Sequence, residues 1–567
     1  MGENLFAQTE LLSEMDLFQI KRLQSFRNIS ERDSISSQML YLSSNIFDKD
    51  TCSGLIKYKS LQLDLYRIGI AYQLNTHIGE STNDGTFLPN VGLQRRANLN
   101  VDLKWKGLSL KFAPEWIFTE NKQPTSLDLD LGDGNYMARY YMYIVNKIDM
   151  YPRFGDSSIK RFNFGQSSIK YSCKHFQFGL STENLWWGPS TRNALVMSNN
   201  AQGFPHLSLN TYNPIVTTIG SFEGQVIYGQ LSNVKFDFPD NTRMRSIWEG
   251  GIAQKRNLIR SMYGYTINWQ PKWTKNFFVG VAMTNQRYLD FADSMGIVTP
   301  RFLKNNKMKL GSFFLRYAMP EDQTELYVEI GRADKLADPL NVFKDKIPLG
   351  YTAGIRKIVN LSGGKSNLYF GLEVTRLQLP DPRMIFREEG IWGPPKTNSW
   401  YTSDSIRQGY TNFGEVMGAY IGPGSNGQSL QIGWLQGMRK IMLIGERVQH
   451  NNDFYYYNYF NGNTSSAVAT NNRYWVDMSA GIQVQWPIGN FLFSSMYKYT
   501  SVLNYRWIKL DGGFSGRSML SDRQKDTWTL AIYWFLNRGF INKPNTHPIK
   551  IKEYLREVIK KPSNQRI

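Results

Sequence analysis

The chain has 567 residues, a formal charge of +19 from 66 Lys and Arg against 47 Asp and Glu, 14% aromatic residues and 47 glycines. Two cysteines, Cys52 and Cys173, are too few for a disulfide framework or a cysteine-based metal site, and the five histidines are scattered, so neither a metal nor a cofactor is expected. No apolar run reaches the roughly 18 residues a membrane helix needs, and the basic balance attracts anionic partners without choosing among nucleic acid, lipid head groups and acidic polysaccharide.

The opening "MGENLFAQTE" lacks the basic and long apolar regions of a signal peptide but ends like one, so an upstream signal is expected to precede Met1. Residues 10–45 read as helical. Leu12, Met15, Leu23 and Phe26 fall among charges at near-helical spacing, and Ser30 with Asp33 forms a capping pair. After Cys52 the period changes to two. Leu61, Leu63 and Leu65 alternate with Gln62 and Asp64, and "VDLKWKGLSLKF" reads as two strands about a Lys106-Gly107 turn.

The same texture recurs through "ELYVEIG", "NLYFGLEV", "SLQIGWLQ" and "GIQVQWPIGNFLFSSMYKYT". It ends in "TWTLAIYWFL", where Trp528, Leu530, Ile532 and Trp534 share a face. Roughly eighteen such segments of about 8 to 11 residues match tilted strands that cross a bilayer. No self-similar repeat of 40 to 50 residues supports a propeller. Aromatic runs at Ala138–Tyr143 and Asp453–Phe460 are expected to be interfacial girdles. The fold class is therefore all-β, a transmembrane antiparallel β-barrel of about 18 strands with a small N-terminal periplasmic helical segment. Its parts are residues 1–50 (helical), 51–536 (barrel) and 537–567. That last extension has eight Lys or Arg against two Glu, net +6, and spaces Ile551, Tyr554, Leu555, Val558 and Ile559 along one face of an amphipathic helix.

No catalytic motif is present, neither G-x-S-x-G, H-E-x-x-H nor a phosphate loop, and Glu183 beside Trp186 and Trp187 is the best lone carboxylate for a glycan-active enzyme. No enzyme activity is expected. Sugar binding has better chemical support, because pyranose CH faces stack on aromatic rings while hydroxyls bond to amides and guanidinium groups. "ENLWWGPSTRNALVMSNN" supplies Trp186, Trp187, Arg192, Asn193, Asn199 and Asn200. "GIWGPPKTNSWYTSDSIRQGYTN" supplies Trp392, Trp400, Tyr401 and Arg407. The alternative for such stretches is purely structural, with Gly-Pro making turns and Asn capping them.

Three stretches carry a resemblance. "NLWWGPSTRNALVMSNNAQGFPHLSL" (Asn184–Leu209), "NDGTFLPNVGLQRR" (Asn83–Arg96) and "QGYTNFGEVMGAYIGPGSNGQSLQIGW" (Gln408–Trp434) resemble segments of the Wzi family of capsule assembly proteins, in the expected order. The aromatic texture is similar to versions from the Bacteroidota. The resemblance implies an eighteen-stranded outer-membrane barrel with a helical bundle at its periplasmic end. It also implies a surface lectin that attaches or organises capsular or exopolysaccharide at a Gram-negative cell surface. Expected partners are then an acidic polysaccharide, outer-membrane lipid and export machinery on the periplasmic side, with no nucleic acid. The alternative function is a porin or channel for anionic or sugar solutes, which basic residues along an open lumen would suit equally well.

Overall fold

The computed structural model describes residues 56–58, 61–124, 134–274, 276–289, 307–319, 321–333, 349–361, 366–380, 397–436, 439–461, 474–507, 509–510, 519–520 and 523–535. The helical readings at 10–45 and in the basic extension, together with Cys52, lie outside these residues.

Alternation of apolar and polar side chains builds the barrel. On the strand Leu61–Asn75, Ile68, Ile70, Tyr72 and Leu74 are 36–44% exposed, whereas Ala71, Gln73 and Asn75 between them are at most 4% exposed. A soluble sheet buries its apolar face. Here the apolar face points outward and the polar face inward, which is stable only where the surroundings are hydrocarbon. Trp528 and Trp534 on the last strand, Arg523–Phe535, are exposed in the same way, with Thr527, Thr529, Ala531 and Tyr533 buried between them.

Eighteen antiparallel strands form the wall. In chain order they are β1 (Leu61–Asn75), β2 (Gly92–Trp105), β3 (Leu108–Phe112 continued by Glu115–Thr119), β4 (Ile159–Asn163 continued by Ser168–Cys173), β5 (Phe176–Ser181) and β6 (His206–Thr211). There follow β7 (Gly220–Leu231), β8 (Arg260–Pro271), β9 (Phe277–Tyr288), β10 (Lys307–Met319), β11 (Thr324–Ala333) and β12 (Leu349–Leu361). The last six are β13 (Ser366–Arg376), β14 (Asn426–Gln436), β15 (Arg439–Gln449), β16 (Val476–Ile488), β17 (Phe491–Leu503) and β18 (Arg523–Phe535). Pairing of β18 with β1, from Arg67↔Phe535 to Asn75↔Thr527, closes the ring, so neither the first nor the last strand of the wall is left as a free edge. The break within β3 falls at Pro114, which has no N–H to give the ladder, and residues 164–167 of β4 bulge beside it.

The connections are unequal. At one end they are tight turns such as Lys106-Gly107, with Lys106 at φ 51°, and Gly489-Asn490, with Gly489 at φ 59°. The first strand begins and the last ends on that side. At the other end run the long connections 76–91, 120–158, 182–205, 232–259, 377–425 and 450–475. Three of them carry helices: α1 (Gly134–Tyr143), α2 (Asn241–Ile247) and α3 (Asn452–Asn461). Short periplasmic turns and long external loops are the rule for outer-membrane barrels.

The aromatic runs at Ala138–Tyr143 and Asp453–Phe460 are not girdles. The first lies on α1 and the second on α3, with Tyr141, Tyr143, Phe454 and Tyr457 at most 1% exposed. A helix packed inside a lumen buries aromatic residues that a membrane-interface run would expose, and the sequence alone does not distinguish the two. The actual girdle lies at the tight-turn end, where Phe222 stacks on Trp269, Trp434 on Trp486 and Phe491 on Trp534, and where Trp105 and Trp273 are exposed. A second band, nearer the long loops, holds Tyr228, Tyr263, Tyr499 and Trp528.

Candidate functional site

The connection between β5 and β6 folds into the lumen as a narrow loop, with the backbone N–H of Trp187 bonded to the carbonyl of Met197 at 3.1 Å. Its reversal needs Gly188, at φ 104°, where a Cβ would sit 2.7 Å from Glu329 Oε2. Carboxylates of the wall hold its tip. Glu373 on β13 accepts the backbone N–H groups of Thr191 (2.7 Å), Arg192 (3.2 Å) and Asn193 (2.8 Å), with the hydroxyls of Thr191 (3.0 Å) and Tyr327 (2.6 Å). Arg356 on β12 donates to Pro189 O at 3.0 Å and pairs with Glu325, which also binds Arg316. At the root of the loop Glu183 bonds to Lys170 at 2.5 Å and lies 3.7 Å from Lys111; burial alone would push its pKa up, but the two lysines hold it below the ordinary value.

Tryptophans wedge the inserted chain against the wall. The Trp187 Nε1–H donates to Gln225 Oε1 at 2.7 Å, and the ring fills the space left by Gly264, where a Cβ would meet it at 2.9 Å. Trp400, on the 377–425 connection, lies over Gly331 and Gly350 of β11 and β12, where a Cβ would approach its ring to 2.8 and 2.6 Å. Beside it Tyr401 adopts φ 65°, a strained value for a bulky residue, and is held there by donating its hydroxyl to Leu195 O and accepting the Ala419 N–H, both at 2.8 Å.

All three stretches singled out in the sequence meet here. Asn83 donates to Arg192 O, Asn199 to Asn83 O, Asn200 to Val416 O and Ser198 to Gly418 O. Of the residues expected to bind polysaccharide, Trp186, Trp187, Trp400 and Tyr401 are 0–1% exposed, and Asn193 and Asn200 are buried. Asn199 and Arg407 are half-buried, Arg192 reaches Glu446 at 2.5 Å, and Trp392 lies outside the described residues.

Above this plug, at the long-loop end, lies a cavity of about 220 Å³. Tyr140, Tyr151, Tyr420, Trp475 and Tyr505 line it, with Glu80, Glu415, Glu446, Asp477, Arg506 and Lys525. Met150, 37% exposed, is part of its wall.

A family model for the capsule assembly protein Wzi matches residues 90–500. The chain belongs to the Wzi capsule assembly family. Among solved structures, Escherichia coli Wzi, described as an outer-membrane protein involved in group 1 capsule assembly and a carbohydrate-binding β-barrel, matches with a TM-score of 0.52 at 9% identity, over 82% of this chain and 83% of that one. At that identity the likeness is one of fold. Acinetobacter baumannii OccAB2 (TM-score 0.37, 9% identity, 83% and 98% covered) and Pseudomonas aeruginosa OccK2 (TM-score 0.38, 8% identity, 84% and 99% covered) match less well. Among curated proteins none matches the chain in sequence. Family and outward apolar faces together make this Wzi-family chain an outer-membrane barrel.

In this Wzi-family barrel the cavity charges are organised in pairs. Lys525 lies 2.7 Å from Asp477 and 3.5 Å from Glu80, Lys498 joins Glu80 to Glu446, and Arg192 closes on Glu446. Burial would raise the Glu80 pKa, yet Lys498 and Lys525 together hold it at about 2. The cavity residues were missed in the sequence because those named come from five separate connections (76–91, 120–158, 377–425, 450–475 and 504–522) and from the strands β15, β16 and β18. The available signal was that Glu415 and Tyr420 fall inside the recognised 408–434 stretch.

Proposed function

We propose that the protein is a non-catalytic outer-membrane polysaccharide-binding protein that helps attach or assemble capsular or exopolysaccharide at the cell surface. The family match over residues 90–500 is the observation that carries this reading. Two features of the molecule agree with it. The lumen is filled by a hydrogen-bonded plug, which suits a binding platform better than a solute channel. Glu183 is engaged by two lysines rather than poised beside a second carboxylate.

The net charge of +19 favours an acidic polymer approaching the surface as a whole. Trp186, Trp187, Arg192, Asn193, Asn199, Asn200, Trp400, Tyr401 and Arg407 then serve binding by fixing the plug and the loops above it, since the rings among them are closed to solvent, while Trp392 stays a candidate for direct contact with the polymer. Both ends of the wall lie on the tight-turn, periplasmic side. On this reading residues 1–50 and the basic extension 537–567 serve the periplasmic side, with outer-membrane lipid and export machinery as their partners.

The test is to delete the gene and measure cell-bound and released polysaccharide. An unchanged total that shifts into the medium supports anchoring. Unaltered retention with reduced uptake of a small solute replaces this reading with the channel.

A further inference from the structure

We propose that the loop-end cavity holds one uncharged pyranose residue of the exported polysaccharide, with Glu415 as its buried hydrogen-bonding partner and Trp475 as an aromatic wall; this rests on the polysaccharide-binding reading above.

The volume of about 220 Å³ falls below the roughly 300–1,000 Å³ of sites for drug-sized ligands, so one ring fits and a longer chain does not. The walls combine aromatic rings with polar groups, the pairing that a sugar requires for its CH faces and its hydroxyls. Trp475 is held for this role: one side stacks on His450 at 4.3 Å, its Nε1–H donates to Asp477 at 2.9 Å, and Tyr505 meets it edge-on at 5.0 Å.

Glu415 is the observation that points to a ligand. It sits on the short hairpin Thr411–Val416, lines the cavity and is 4% exposed, yet among the described residues neither carboxyl oxygen accepts a hydrogen bond of ordinary geometry. A buried polar group in that state destabilises the fold unless something fills its place. Burial, reinforced by the neighbouring Asp84 carboxylate, pushes its pKa well above the ordinary carboxyl range against the lowering effect of Ser81 and Arg161, and its two oxygens are the buried polar atoms a sugar hydroxyl would meet.

The charge pattern selects the kind of sugar. The lining cations are already committed, Lys525 to Asp477 and Glu80, and Arg506 to Asp240 at 3.8 Å and to the faces of Tyr140 and Tyr505. A uronate would have to break one of these pairs and would face Glu446 and Asp477 as well. An uncharged residue disturbs none of them.

The test uses the full chain in lipid nanodiscs, with polysaccharide purified from the producing cells as probe and methyl hexopyranosides or hexuronates as competitors. Glu415→Met and Trp475→Ala are each expected to weaken polysaccharide binding about tenfold. Glu415→Met should leave the thermal midpoint unchanged or raised, because it removes an unsatisfied buried group, and that separates lost recognition from lost folding. The neutral glycosides should compete at least tenfold better than the hexuronates. Wild-type affinity in both variants overturns the cavity assignment and leaves the polysaccharide reading standing. Equal competition by hexuronates overturns the choice of an uncharged residue. A wild-type protein that binds no polysaccharide overturns both.

Discussion

Glu373 shows how one buried side chain keeps a loop inside a barrel. Its carboxylate receives three successive backbone N–H groups and two hydroxyls, so backbone donors that the tip would otherwise bury unsatisfied are paired. Glu373→Gln removes the charge and turns an amide N–H₂ toward those donors. The expected cost is about 3 kcal/mol, read as a lower thermal midpoint in detergent. Gly188→Ala acts on the same loop by another route, placing a Cβ against Glu329 in a backbone region that alanine disfavours. A loss of about 2 kcal/mol in the same measurement is expected. A midpoint equal to wild type in both variants would show that the loop adds little to stability.

At the level of elements, α3 depends on a carboxyl group that must stay protonated to be comfortable. Asp453 in its first turn accepts the Leu379 N–H at 2.9 Å and the Ser399 hydroxyl at 2.5 Å. Burial pushes its pKa from the ordinary 3.8 to about 6, against the lowering effect of those bonds. A raised carboxyl pKa means the folded state binds the proton more tightly than the unfolded one. The stability it contributes is therefore present below about pH 4 and is lost as pH rises through about 6, by roughly 3 kcal/mol. Amide exchange in α3, corrected for its intrinsic pH dependence, should accelerate between pH 4 and pH 7. Asp453→Asn should flatten that profile; an unchanged slope would rule the titration out as its cause. Glu80 works in the opposite sense. Its pKa, held at about 2, makes its contribution to the 76–91 connection full above about 4.5 and lost as pH falls toward 2.

For the molecule as a whole, two solvents decide the architecture. Hydrocarbon outside selects the apolar faces of eighteen strands, and the lumen inside is a protein core rather than a pore. Trp187, Trp400, Tyr401, Phe454 and Tyr457 belong to one buried cluster with wall residues such as Met262, Leu310 and Val448. The reconstituted barrel is accordingly expected to show little ion conductance in planar bilayers. Replacing residues 185–199 by a Gly-Ser linker should introduce stepwise conductance while the closed wall persists, as judged by heat-modifiable migration on gels. Large conductance in the wild type would contradict the plug.

The strands, their outward face and their approximate number were legible in the sequence, because the period of two reports a local geometry: each side chain along β18 or β1 shows which face it takes without reference to any other strand. The stretches at 183–200 and 390–412 were also legible as unusual, since their Trp, Gly-Pro and Asn content departs from that period. Where those stretches sit was decided only by the tertiary structure. Trp187 and Trp400 look alike whether they face a sugar or a wall glycine, and the glycines that receive them, Gly264 for the first and Gly331 and Gly350 for the second, lie 77, 69 and 50 residues away in the chain. The same holds for the aromatic runs on α1 and α3, and for Glu415, whose want of a partner is visible only once the loops around it are assembled. Periodicity is a property of neighbouring residues; enclosure is a property of distant ones brought together.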